Sequence, residues 1–251
     1  MTEPILFRVD RGLARITLNR PGSLNAVDAE MGRAWARVTA EAVSREDVAA
    51  VLIDAAGPAF CAGGDVRAMV EMDSADGMSE LAGVINRGIL SLTGSALPVA
   101  VAAHGATVGG GLGILLAGDY AVVGEGSRLG SLYANVGLTP DLSVSAQLAR
   151  AVGERRALQL VLSERMLSGA EAVEWGLAAE VVPDAEVATR AEAVARGWLA
   201  GAASAYGQAK RLVREAAHRG MPEQLAEEAR TIGAAYATPD AQRLTRAFVA
   251  R

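Results

Sequence analysis

The stretch that most restricts the fold runs from residue 98 to 116. An apolar segment, Pro98-Val99-Ala100-Val101-Ala102-Ala103, leads through His104 to Val108 into three consecutive glycines, Gly109-Gly110-Gly111, and then Leu112-Gly113-Ile114-Leu115-Leu116. Successive glycines lose much backbone entropy on folding and weaken a helix interior, so they belong at a junction where a strand ends and a helix begins. The first turn of such a helix leaves N–H groups unpaired, and the helix dipole turns its positive end to the same place. An oxygen that acquires negative charge suits that place. Close packing of helix on strand is the other use of such glycines, and this segment alone does not separate the two.

A second junction of the same kind precedes it. Ala49–Ala55 is a short apolar run typical of a strand covered on both faces. It feeds Gly57-Pro58-Ala59-Phe60-Cys61-Ala62-Gly63-Gly64-Asp65-Val66, in which Asp65 is placed to cap a following helix. Two junctions can each supply one backbone N–H to a common point, which is the arrangement of an oxyanion hole.

The remaining pattern sets an α/β chain with a helical end. Ile5–Val9 and Leu13–Leu18 flank a turn at Asp10-Arg11-Gly12, and Asn19–Ala26 is rich in turn formers. Asp28 caps a helix reaching about Ser44, with Met31, Trp35 and Val38 at helical spacing. Further helices are expected over Met78–Leu92, after Pro140-Asp141 and over Glu154–Leu162, and a short one capped by Ser168. Strands are expected at Asp119–Val123 and Ala179–Val182, with Leu129–Gly137 irregular. Residues 184–200, 204–219, 222–237 and 239–250 read as helices punctuated by Gly201, Gly220 and Pro239. The expectation is an α/β core over 1–183 and a helical appendage over 184–251. Val70–Gly83, with Gly77 and polar residues, reads as a flexible lid.

Composition excludes several classes. The net charge of −5 and the absence of a basic cluster speak against nucleic acid. Apolar runs stop well short of the roughly 20 residues a membrane span needs, and no leader opens the chain. A single cysteine, Cys61, allows no internal disulfide and fits a reducing cytoplasm. His104 and His218 are far apart, so no metal site is expected.

Taken together, Asn19-Arg20-Pro21 with Asn25-Ala26, Phe60–Val66, Ala103–Gly113, Gly137-Leu138-Thr139-Pro140-Asp141, Ser168–Ala172 and Trp175-Gly176-Leu177 resemble the crotonase superfamily over nearly the whole chain. That resemblance implies a spiral of ββα units, a coenzyme A thioester substrate and no cofactor beyond the coenzyme A it carries. It further implies homotrimers, commonly paired into hexamers, a cytoplasmic location and a place in fatty acid metabolism. By the same resemblance the thioester oxygen lies between the N–H groups of Ala62 and Gly110. Asn25, Ala26, Cys61, Gly63, Gly64, Asp65, Val66, Arg67, Gly109, Gly113 and Tyr133 are the residues it places along the substrate.

The resemblance also bears on the reaction. Hydratases of the superfamily carry two glutamates, and those positions are here Gly113 and Tyr133. Neither side chain can take a proton from water as a carboxylate does. Asp141 stands where isomerases of the superfamily carry a single acid/base. Placed in an apolar pocket, its pKa should rise, which suits a group that takes a proton and returns it. Spacing alone also allows Asp141 to be an ordinary helix cap. Three functions follow: double-bond isomerisation with Asp141 as proton shuttle, a hydratase or other lyase with a non-standard catalytic set, or a non-catalytic acyl-CoA binder. Dehalogenation is disfavoured because Leu90 falls where a helper histidine is needed. A dinucleotide site is excluded, since Gly109–Gly113 fits G-x-G-x-x-G in no register. Lys210, Arg211 and Arg214 read as a solvated helix face, with contact to the nucleotide as the alternative. The C-terminus lacks the lysine that would approach adenine.

Overall fold

The computed structural model describes residues 3–72 and 74–250. Strands β1 (Ile5–Asp10) and β2 (Leu13–Leu18) form an antiparallel hairpin. Helix α1 (Ala29–Ser44) starts where the Asp28 carboxylate accepts the Met31 N–H at 2.8 Å, and it buries Met31, Trp35 and Val38 on one face. Strand β3 (Ala50–Ala55) is followed by helices α2 (Val66–Met72) and α3 (Ala75–Gly94). Strands β4 (Val99–Ala103) and β5 (Ala106–Val108) lead into α4 (Gly110–Ala117). Strands β6 (Tyr120–Gly124) and β7 (Arg128–Gly130), helices α5 (Val144–Val152) and α6 (Glu154–Val161), strand β8 (Leu167–Ser168), helix α7 (Gly169–Trp175) and strand β9 (Glu180–Val182) complete the mixed part. Helices α8 (Val187–Ala200), α9 (Ala203–Glu215), α10 (Met221–Tyr236) and α11 (Pro239–Val249) close the chain.

The strands make two sheets. Six are ordered β1-β2-β3-β4-β6-β9 and run parallel after the first hairpin. Three short ones are ordered β5-β7-β8. Strand β4 is buried along its whole length and β3 over all but its last residue, which explains their unbroken apolar sequences. Helix α4 is buried at all eight positions, as a helix apolar all round must be. It occupies the centre of the molecule, and its first residue, Gly110, opens towards the cavity described below.

Several expectations change. The second sheet was invisible in sequence because its strands are two or three residues long, too short for an alternating pattern to show. It replaces part of the irregular Leu129–Gly137 stretch, the rest of which holds a helical turn at Tyr133–Val136. Residues 70–72 and 75–83 are helical, the end of α2 and the start of α3, with Ser74 the extended N-cap of α3 and Asp73 outside the described residues. Helix α8 lays Val187, Ala191 and Ala195 against Leu13, Leu52, Ala100 and Val122 on the sheet face opposite α1. Packing on the sheet therefore continues past residue 183 through α8.

Candidate active site

Two backbone junctions and one turn converge on a cavity of about 440 Å³. The first junction is held from both sides. Cys61 donates its N–H to Ala106 O and accepts from Val108 N–H, so the segment adds to β5 as a short parallel bridge. Asp65 caps α2 through its carboxylate, which accepts the Ala68 N–H at 3.3 Å and pairs with Arg20. Between these anchors Ala62 donates its N–H to Leu24 O at 3.0 Å. The donor expected from Ala62 is thus already used, and Ala62 contributes only to the cavity wall.

The free donor lies two residues on. Gly63 O accepts the Val27 N–H at 2.7 Å, and in a trans peptide the next N–H points the opposite way. That N–H belongs to Gly64, a cavity-lining residue. At the second junction Gly109 has φ 53°, a conformation that glycine adopts without penalty, and Gly110 begins α4. Among the described residues neither the Gly64 nor the Gly110 N–H has an acceptor. The two peptides are adjacent: a Cβ built on Gly110 would lie 3.9 Å from Gly63 C.

Among the described residues, the turn supplies the only ionisable group in the cavity wall besides Tyr133. Asp141 Oδ1 accepts the Tyr133 hydroxyl at 2.5 Å. Burial raises the Asp141 pKa above the ordinary carboxylate value, and the Tyr133 hydroxyl offsets part of that rise. Burial beside the same carboxylate pushes the Tyr133 phenol up, so it remains a donor. Asp141 is not the cap of α5. That helix begins at Val144 with Ser143 at its N-cap position and no side-chain cap bond.

Position 113 shows why no second acid is present. A Cβ on Gly113 would lie 2.6 Å from Leu142 Cβ and 2.7 Å from Leu142 O. Leu142 therefore occupies the volume into which a side chain at 113 would extend. Gly113 itself is buried and does not reach the cavity.

The rest of the cavity wall is mostly apolar, with Ser79, Ser131, Asn135 and Thr139 as its other polar residues, and comes from distant parts of the chain. Val27, Met69, Met78, Leu81, Ile85 and Leu142 surround the space beyond Asp141. Sequence inspection did not select them, because helical spacing marks the α3 residues only as buried-facing. Of the residues placed along the substrate, Gly63, Gly64, Val66, Gly109 and Tyr133 do line the cavity. Asn25, Ala26, Cys61, Asp65, Arg67 and Gly113 do not.

Each of the residues that fall away has a visible occupation or position. Asn25 is fully buried and holds the loop after β2, donating to Ala56 O and Ala59 O at 2.8 Å each and accepting the Arg20 N–H at 2.7 Å. Ala26 lends its carbonyl to the Arg20 guanidinium. Cys61 is buried, and burial pushes its thiol up to about 12, which makes it a poor nucleophile. Arg67 is exposed on α2. His104 bonds Gly57 O at 2.7 Å as a turn residue, and His218 is exposed.

The late basic residues do not form a solvated face. Lys210 is buried and donates to Leu92 O and Leu97 O at 2.7 Å while pairing with Asp119 at 3.0 Å. Arg211 pairs with Glu227 and donates to Thr231, and Arg214 pairs with Asp119. None of them faces the cavity that holds Asp141.

Comparison with known proteins places this geometry. Residues 8–251 match the family model described as enoyl-CoA hydratase/isomerase. The chain belongs to the enoyl-CoA hydratase/isomerase family, within the crotonase superfamily. A probable enoyl-CoA hydratase of Mycobacterium bovis is 30% identical over 255 residues, covering 98% of this chain and 95% of its own. The 1,2-epoxyphenylacetyl-CoA isomerase of Escherichia coli is 30% identical over 200 residues, covering 78% of this chain and 76% of its own. The crystal structure of an enoyl-CoA hydratase from Mycobacterium smegmatis superimposes with a TM-score of 0.91 at 27% identity, covering 98% of this chain and 96% of that one. The family contains both hydratases and isomerases, and the membership is that of an enzyme in the crotonase superfamily.

Proposed function

We propose that this enzyme moves the double bond of an enoyl-CoA thioester, with Asp141 as the single proton shuttle. The carrying observation is the pairing of one half-buried carboxylate, hydrogen-bonded to Tyr133, with a position 113 that Leu142 leaves no room to acidify. The thioester oxygen accepts from the Gly64 and Gly110 N–H groups. Ionised Asp141 removes a proton from the carbon on one side of the double bond, and the electron pair moves through the conjugated system onto the thioester oxygen. Each backbone donor that meets the resulting enolate lowers the barrier by about 2.7–4 kcal/mol. Protonated Asp141 then returns the proton to the carbon at the other end of the three-carbon unit, and the carboxylate is restored.

The raised pKa of Asp141 supports this cycle, since a stronger base abstracts more readily and still releases the proton. The apolar wall supports an uncharged acyl group. Exposed apolar residues on α10 and α11, among them Met221, Ile232, Tyr236 and Phe248, support assembly into the homotrimer or hexamer expected of the superfamily. A reducing cytoplasm and fatty acid metabolism remain the expected setting.

Asp141→Asn tests the assignment. It should lower kcat by about 10²–10⁴-fold while leaving calorimetric affinity for a saturated acyl-CoA unchanged. An undiminished kcat removes Asp141 from the mechanism.

A further inference from the structure

The turn that carries Asp141 is held in an unfavourable backbone conformation. Leu142 and Ser143 follow it at φ 47° and 63°, and neither is glycine. For residues with a Cβ the left-handed region costs about 1–2 kcal/mol each, so the surrounding structure must hold them there. Leu142 is pinned by burial against Gly113. Ser143 is only half-buried and has no cap bond to the backbone of α5.

Its hydroxyl instead ends a chain of polar contacts that starts on the far side of the core. Gln147 Nε2 donates to Ser143 Oγ at 2.7 Å, and Gln147 Oε1 accepts from Arg214 Nη1 at 2.8 Å. The direction of the amide is fixed chemically, because a guanidinium only donates. Arg214 also donates to Asp119 Oδ1 and to Gly118 O, at 2.9 Å each. The other Asp119 oxygen accepts the Val99 N–H at 2.9 Å and pairs with Lys210 at 3.0 Å. Gly118 is the C-cap of α4, whose first residue is Gly110.

We infer that Gln147 and Arg214 are positioning residues that fix the Asp141 turn relative to Gly110. One guanidinium grips the C-terminal end of α4 and, through Gln147, the turn before α5. The front ends of these two helices hold the oxyanion donor and the carboxylate. Neither Gln147 nor Arg214 reaches the cavity, so both act only through the spacing between the parts that do. Functionally, the inference rests on the isomerase reading of Asp141.

The test uses Gln147→Met, which keeps length and removes both hydrogen bonds, and Ser143→Ala, which removes the same contact from the other end. Gln147→Glu is the conservative partner, since its carboxylate accepts from Arg214 and from a turned Ser143 hydroxyl. Amide exchange at Val144, Ala146 and Gln147, now bonded to Asp141 O and Ser143 O, should speed by about tenfold in the first two variants. Their kcat should fall by about tenfold with KM nearly constant, the mark of lost alignment. Gln147→Glu should retain both exchange rates and kcat. Unchanged kcat in Gln147→Met and Ser143→Ala, or a Gln147→Glu as impaired as Gln147→Met, overturns the inference. If the unaltered enzyme turns over no enoyl-CoA, the isomerase reading falls, and exchange alone judges the strut. Protection lost in Gln147→Met and kept in Gln147→Glu then upholds it, and equal exchange in all variants overturns it.

Discussion

Positions 113 and 141 flank the same stretch of core, yet they are built in opposite ways. At 113 the backbone lies against Leu142, and even a methyl group would collide with it. At 141 a half-buried carboxylate lines the cavity and accepts a hydrogen bond from a phenol. Under the isomerase proposal one residue, Leu142, decides the reaction. In its left-handed conformation it closes position 113, and the same turn presents Asp141. Under that proposal one acid and two backbone donors carry a proton across three carbons, and among the described residues the cavity wall holds no second carboxylate for an attacking water.

Gly113→Glu attacks this contrast most directly and should have the largest effect. Forced packing against Leu142 and a carboxylate buried without a partner should cost about 3 kcal/mol or more, visible as a fall in the midpoint of denaturant unfolding. Adding Leu142→Gly should recover part of that loss, because it removes the Cβ that stands 2.6 Å from the new side chain and suits the positive φ. Full stability in the single variant would show that Leu142 does not block the position.

Tyr133→Phe sharpens the other side. The Tyr133 hydroxyl stabilises ionised Asp141, so its removal lets burial raise the Asp141 pKa further. Because the base must be ionised, the acid limb of kcat/KM should move to higher pH, with activity lost first on the acid side and kept on the alkaline side. A limb that stays in place or moves to lower pH contradicts the assignment of Asp141 as base.

Cys61→Ala should have the smallest effect. The thiol is buried, has its pKa raised and lies outside the cavity wall, so kcat should be unchanged and stability should fall by only about 1 kcal/mol. A large loss of kcat without unfolding would give the thiol a role that this geometry denies it.

Both glycine junctions were legible because each is a local pattern with a chemical meaning, and the family resemblance brought forward Asp141, which the structure sets in the cavity wall. The choice between Ala62 and Gly64 was not legible, since it depends on two backbone partners, the Leu24 carbonyl and the Val27 N–H, that lie outside the junction in sequence. Asn25 illustrates the same limit: its type and place suit a substrate contact, but every polar atom of its side chain is spent on the loop. Lys210 and Arg214 keep helical spacing and charge, yet their burial is set by Asp119, far away along the chain. The acyl wall was also illegible, because Met69, Met78, Leu81 and Ile85 become neighbours of Asp141 only through the tertiary fold.

The most direct measurement is mass spectrometry of 2-enoyl- and 3-enoyl-CoA esters incubated with the enzyme in D2O. A single proton shuttle predicts deuterium in the acyl chain, a displaced double bond and no added water. A product heavier by one D2O, with the double bond gone, would contradict it and require a nucleophile-holding group outside the Asp141 and Tyr133 pair.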